Sequence, residues 1–206
     1  MATGWPAVLQ DDGVRLRPLR RRDGKTWLAL RAVNARWLEP WEASSPVPIE
    51  APAPTFAEFV RMLSSQARRG TALPFAVDHE DRLVGQLTVS SIAYGSLRSA
   101  SIGYWVSRHV AGRGVIPTAV ALATDHCFDT LGLHRVEVNI RPENGPSLRV
   151  VEKLGFRDEG LRERYLHIAG EWCDHRTFAL TTEDVPDGLL ARWRAQRPVA
   201  QPDRSE

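Results

Sequence analysis

Tyr104-Trp105-Val106-Ser107-Arg108-His109-Val110-Ala111-Gly112-Arg113-Gly114-Val115-Ile116-Pro117-Thr118 and the residues on to Asp125 decide how this chain reads. An apolar run with strand character passes into a basic, double-glycine turn, and helix-forming residues follow. Gly112 and Gly114 accept backbone angles that other residues resist, and without a Cβ they let a ligand come close. A helix beginning near Val115 exposes unpaired amides and the positive end of its dipole. Such a turn can seat a pyrophosphate, and Arg108 and Arg113 add charge on either side. Two glycines after a strand also occur as a plain turn, so the rest of the chain has to decide.

Two familiar phosphate loops are excluded. A Walker loop needs Gly-Lys-Ser/Thr, and Gly114 is followed by Val115-Ile116. A dinucleotide fingerprint needs a third glycine, and Pro117 stands in its place.

At 206 residues the chain suits one sizeable domain. Its 43% hydrophobic and 25% charged residues are those of an ordinary globular protein. A formal charge of +2 gives no electrostatic case for direct nucleic-acid binding. The arginine-rich patches at 15–22, 61–69 and 157–164 read as solvated faces. Cys127 and Cys173 lack metal or redox spacing and read as reduced thiols. The histidines are scattered and no metal is expected. No apolar run is long enough to span a membrane, and Met1 to Asp12 lacks a signal-peptide layout, so a cytoplasmic protein is expected.

Val14 to Arg20 alternates as a strand, and Asp23 opens a helix carrying Trp27, Leu28 and Leu30. Pro46, Pro48, Pro52 and Pro54 mark an extended loop. Thr55 with Glu58 forms a capping box for a helix that stops at Gly70. Leu73–Val77 and Leu83–Ser91 form a hairpin, Ser101–Val106 is the next strand, and the turn with its helix runs to Gly132. His134–Ile140 alternates again, Pro146 opens a helix closing at Gly155, and Phe156–Tyr165 and Trp172–Leu180 are the last strands. The order β-α-α-β-β-β-α-β-α-β-β predicts an α/β (α+β) fold with a mixed central sheet. Residues 1–12 read as an N-terminal extension, 13–194 as the domain and 195–206 as a flexible tail.

These motifs together resemble the GNAT N-acetyltransferases. His109-Val-Ala-Gly112-Arg113-Gly114 is similar to that family's pyrophosphate loop, with His109 where Gln or Arg is usual. Asn144-Gly-Pro-Ser147 followed by Leu154-Gly-Phe156 resembles the next part of the fold. Trp37-Leu-Glu39-Pro-Trp41 and the ending Tyr165…Glu171-Trp172-Cys-Asp174-His are similar to the RimJ/RimL branch, the ribosomal-protein N-terminal acetyltransferases. The resemblance covers roughly residues 13 to 182. It implies a GNAT fold with helices on both faces of a sheet splayed around acetyl-CoA. It further implies transfer of acetyl to a protein N-terminal α-amine, of a ribosomal protein in that branch. Cofactor contacts would come from Trp105, Val106, Arg108, His109, Gly112, Arg113, Gly114, Val115, Asn144 and Ser147. GNAT proteins often form homodimers, although no pattern here marks an interface. The rivals are a small-molecule N-acetyltransferase acting on a polyamine, antibiotic or amino acid, and a non-catalytic acyl-CoA sensor.

The implied chemistry is direct attack of an amine on a thioester, with positioning supplying much of the rate. Ser147 stands near the leaving sulfur by resemblance, or else merely caps its helix. Period two puts Arg135, Glu137 and Asn139 on one strand face, which makes Glu137 the best-placed carboxylate base or else an arginine's ion-pair partner. Tyr104 and His167 are weaker candidates. An α-amine titrates about 2.5 units below lysine, worth roughly 3.4 kcal/mol of deprotonation, so a site without a strong base suits an N-terminus. Trp37 and Trp41 line an acceptor cleft or pack the first helices, and Glu39 and Glu42 beside them can attract a cationic amine.

Overall fold

Eight strands form one sheet in the order β1-β2-β3-β4-β5-β6-β8-β7. The computed structural model describes residues 4–47 and 52–196. The strands are β1 Leu9–Asp11, β2 Val14–Pro18, β3 Leu73–His79, β4 Arg82–Ala93, β5 Ser99–Val106, β6 Arg135–Ile140, β7 Arg157–Ile168 and β8 Glu171–Thr181. The helices are α1 Gly24–Val33, α2 Ala35–Leu38, α3 Phe56–Arg68, α4 Val115–Asp125, α5 Gly145–Leu154 and α6 Leu189–Gln196. Every neighbouring pair of strands is antiparallel except β5 with β6. That parallel pair is joined through α4, the crossover a parallel connection requires. The expected mixed sheet and element order are present.

Two apolar layers cover the sheet. On one face, Leu16, Phe75, Leu87 and Ile102 of the strands pack with Val120 of α4, Val151 and Leu154 of α5, and Leu189 and Trp193 of α6. On the other, Leu19, Ala76 and Leu83 meet Val60 and Leu63 of α3 together with Trp27 and Leu30 of α1. The capping box expected at Thr55 and Glu58 is formed, and Gly70 takes a left-handed φ of 68°. Of the proline loop, residues 48–51 lie outside those described.

Three features depart from the sequence expectation. Part of the N-terminal extension is structural, since Leu9–Asp11 pairs with β2. Helix α6 was not foreseen; its first amides are met by a distant residue, with Leu189 N–H and Leu190 N–H donating to the Asp125 carboxylate at 2.6 and 3.0 Å. The tail expected at 195–206 keeps helix to Gln196, and 197–206 lie outside the described residues.

Arg17 is a further departure. Its patch reads as a solvated face, yet Arg17 is buried and donates to Asp78 at 2.7 Å and Asp23 at 2.7 Å. Burial works to lower its pKa, but the hydrogen bonds and charges of Asp23 and Asp78 together outweigh it and hold the guanidinium above the ordinary arginine value. Asp23 also accepts from Arg20 N–H at 2.7 Å, so the network ties β2, β3 and the start of α1 together. Removing one member of a buried ionic network leaves the others uncompensated. Arg17→Met is therefore expected to cost about 3–5 kcal/mol in urea unfolding. Arg15→Met, whose pairs with Asp78 and Asp81 are more exposed, should cost less than about 1 kcal/mol. Equal small losses would contradict a stabilising role for the network.

Candidate active site

β5 and β6 keep register only from Ser99↔Arg135 to Ser101↔Glu137. Beyond that, β5 continues to Val106 alongside β4, and β6 continues to Ile140 alongside β8. The two strands part, and the facing backbone groups of β5 lose a strand partner they would otherwise have. A cavity of about 660 Å³ opens at this divergence. Its walls come from β5 (Tyr104, Trp105, Val106), the glycine turn, the first turns of α4 and α5, and Trp37 and Trp41.

The glycine turn has the conformation the sequence implied. Gly112 and Gly114 have φ of 82° and 81°, and Gly114 is the N-cap of α4 with no side-chain cap. A Cβ on Gly112 would meet nothing within 4 Å, so its surroundings are open to a ligand. Behind Gly114 stands Trp193 of α6, within 3.5 Å of where a Cβ would fall, and its Nε1 donates to Thr118 Oγ1 at 2.9 Å. Buried Asn34, at the end of α1, fixes the entry to the turn. It accepts from Arg108 N–H at 2.9 Å and donates to Ser107 Oγ at 2.8 Å. Ser107 Oγ in turn lies 2.8 Å from His109 Nδ1.

The expected cofactor residues therefore fall into two groups. Trp105, Val106, Gly112, Gly114, Val115, Asn144 and Ser147 line the cavity. Arg108 and His109 do not; Arg108 packs over the Trp37 ring at 5.9 Å, and both serve the turn's own structure. Arg113 opens instead onto a smaller hollow of about 270 Å³ beside Gly13, His79 and Glu80. Two cations the sequence reading passed over, Arg149 and Lys153, line the cavity from α5 at i and i+4 spacing. An uncapped helix end, an open glycine and two cations fit the phosphates of acetyl-CoA, and the parted strands fit its extended arm.

Ser147 does not cap its helix. Asn144 does, with Ser147 N–H donating to Asn144 Oδ1 at 3.1 Å. That commits Asn144 Oδ1 to the cap and leaves its side-chain amide nitrogen for a ligand. The Ser147 side chain is free of capping duty and lines the cavity together with Tyr104. The Tyr104 hydroxyl is buried and makes no hydrogen bond of normal geometry. Burial pushes its pKa up to about 12, with Ser147 pulling weakly the other way. A buried phenol without a partner is costly, and it marks a place for a ligand atom. Two protonated hydroxyls thus line the cavity at the divergence.

Glu137 is a correction. It shares the predicted strand face, but Arg135 Nε donates to it at 2.9 Å and Arg162 Nη2 at 3.2 Å, and it does not line the cavity. The alternation placed the residue correctly and could not say which face held the site. His167 is likewise elsewhere, its Nδ1 2.8 Å from Ser44 Oγ.

On the acceptor side Trp37 and Trp41 do line the cavity, while Glu39 does not and Glu42 does. Trp37 Nε1 donates to Val106 O at 3.1 Å, which fixes the indole against the end of β5. Gln86, Thr88 and Ser90, alternate residues of β4, make a polar floor. Arg31 completes this end. Its guanidinium lies 5.6 Å from the Trp27 ring and 5.3 Å from the Trp105 ring, and it pairs with Glu42. Burial lowers its pKa from the ordinary arginine value. No sequence pattern marked Arg31, because its ring partner Trp105 is far along the chain. Among the described residues no cluster of His, Cys, Asp or Glu is arranged to hold a metal ion.

Two outcomes follow for the hydroxyl pair. Ser147→Ala should slow turnover about tenfold with acetyl-CoA affinity and melting temperature unchanged, whereas Asn144→Ala should lose about 1 kcal/mol of stability. A stability loss at Ser147 equal to that at Asn144 would return Ser147 to a capping role. Tyr104→Phe should lower kcat about tenfold without altering the alkaline limb of its pH profile, since a phenol with a pKa near 12 stays protonated there. Disappearance of that limb in the variant would mean that Tyr104 acts as a titrating base.

Comparison with known proteins agrees with this geometry. The model of the acetyltransferase (GNAT) domain family matches residues 14–157. The fold is similar to RimJ of Mycobacterium smegmatis, solved in complex with CoA-disulfide, with TM-score 0.86 and 39% identity over 95% of this chain and 97% of that one. The [ribosomal protein uS5]-alanine N-acetyltransferase of Escherichia coli is 30% identical over 87% of this chain and 93% of its own length. The probable N-acetyltransferase YjcK of Bacillus subtilis is 31% identical over 86% and 98%. More distant is the Escherichia coli spermidine N(1)-acetyltransferase, 26% identical over 89% and 97%. A match of that span and depth makes the chain a member of the GNAT family of N-acetyltransferases, in its RimJ/RimL branch.

Proposed function

We propose that this acetyltransferase modifies the N-terminal α-amine of a protein, a ribosomal protein being the substrate named for its Escherichia coli uS5-alanine relative. One observation carries the reading: the described residues of the cavity include no strong, unpaired base. Among its described lining residues there is no histidine or cysteine, and the one carboxylate, Glu42, is engaged by Arg31. An amine that is already partly neutral near pH 7 needs no such base, and an α-amine meets that condition where lysine does not. A ribosomal-protein acceptor would be met in the cytoplasm, the location this reading carries with it.

Acetyl-CoA supplies the activated acetyl group. The protein's part is to hold the phosphates at the α4 N-terminus and to offer unpaired β5 amides to developing negative charge. Tyr104 and Ser147 supply protonated hydroxyls, and Trp37 and Trp41 exclude water around the amine. No acetyl-enzyme is needed. Cys127 and Cys173 are buried away from the cavity, and burial pushes the Cys127 thiol up to about 12.

The spermidine-acetylating relative raises a polyamine as the rival acceptor. Charge argues against it here, because the acceptor end of the cavity sets the cation of Arg31 against the single carboxylate of Glu42. The test is thiol release from acetyl-CoA with Ala-, Ser- and Met-starting peptides beside spermidine and an aminoglycoside. Release with peptides, abolished by N-terminal formylation, is expected. Release with small amines alone would overturn the reading.

A further inference from the structure

Arg31 and Glu42 form a charge pair inside the acceptor end of the cavity, and the reaction chemistry described above gives it no role. Four observations define it. Both residues line the cavity beside Trp41 and the polar floor of β4. The Arg31 side chain is only 22% exposed and is held against Trp27 and Trp105, whereas the Glu42 side chain is 50% exposed. Trp27 is itself fixed, its Nε1 donating to Gln86 Oε1 at 3.1 Å, so the cation has a rigid seat. Glu42 directly follows the turn that carries Trp41, and Ala43 after it bridges to Ile168 of β7. The carboxylate is thus carried on backbone anchored at both ends.

The pair has spare capacity on both sides. A guanidinium has five N–H donors, and a carboxylate has about four acceptor positions. One contact between them leaves donors on Arg31 and acceptor positions on Glu42 facing the cavity. A free protein N-terminus is the complementary object, since it presents an ammonium and, two bonds beyond the amine's carbon, the first peptide carbonyl. A polyamine offers only ammonium groups, which Arg31 repels. A lysine side chain offers its carbonyl too far from its amine to meet both groups at once.

Resting on the α-amine reading above, we infer that Glu42 and Arg31 together recognise the acceptor's N-terminus, Glu42 taking the arriving ammonium and Arg31 the first peptide carbonyl. The pair selects and positions the acceptor; it takes no part in bond making. Trp105, whose backbone belongs to the donor-binding strand, seats the same arginine from behind, so acceptor position is referenced to donor position by a direct contact.

The experiment compares an Ala-starting peptide, its N-formyl form and a simple primary alkylamine on the wild type, Glu42→Gln and Arg31→Gln. Binding is read by quenching of tryptophan fluorescence without acetyl-CoA, and kcat/KM is read alongside. The wild type should bind the free peptide about tenfold more tightly than the formyl peptide, a preference that Glu42→Gln collapses toward unity. Arg31→Gln should collapse the preference for peptide over alkylamine by a similar factor. Affinity for acetyl-CoA should stay within about twofold in the exposed Glu42→Gln variant, which keeps the experiment valid even where Arg31→Gln loses stability. A wild type that acetylates peptides while Glu42→Gln retains the full preference overturns this inference alone. A wild type that binds and acetylates only small amines overturns the α-amine reading and the inference with it.

Discussion

The parting of β5 from β6 is the constraint on which the site depends. Two parallel strands hydrogen-bond for three residue pairs and then diverge, although each remains paired to its outer neighbour. Breaking backbone pairing inside a sheet is costly unless something else satisfies the exposed groups. A ligand with amides of its own can do so. The divergence also decides where the cavity lies, because the glycine turn comes within a few residues of the end of β5 and the first turn of α5 within a few residues of the end of β6. Phosphate seat, hydroxyl pair and acceptor wall all hang from the two arms of one V.

What holds the arms apart is long-range. Asn34 ties the end of α1 to Ser107 and Arg108, and Trp37 bonds to the last carbonyl of β5. Trp193 backs Gly114 from the far side. These contacts come from the N-terminal helices and from α6, so the turn is clamped between opposite ends of the chain. A preorganised site of this kind loses less entropy when its ligand arrives than a loop that must first order itself.

Local chemistry was legible in the sequence and long-range pairing was not. The strand–turn–helix around Gly112 and Gly114, the Thr55–Glu58 box and the alternation of β6 each depend on residues within a few positions of one another, and all are present. Arg17 reads as a surface cation because its partner Asp78 lies on another strand. Helix α6 has a weak local signal because Asp125 caps it from a distant helix. Arg31 could not be recognised without Trp105 and Glu42. Glu137 shows the same boundary from the other side, since period two groups it rightly with Arg135 and Asn139 yet says nothing about which face the cavity opens on. Capping and catalysis both begin with a serine after proline, so sequence cannot divide them for Ser147; the Asn144 cap does.

Direct transfer within one cavity is the central claim, and the steady-state pattern tests it most directly. Initial velocities would be measured across a grid of acetyl-CoA and acceptor-peptide concentrations, with mass analysis of protein incubated with acetyl-CoA alone. Intersecting double-reciprocal lines and an unmodified protein are predicted, since both substrates must occupy the V together and no described lining residue is an activated nucleophile. Parallel lines with an acetylated protein would contradict it.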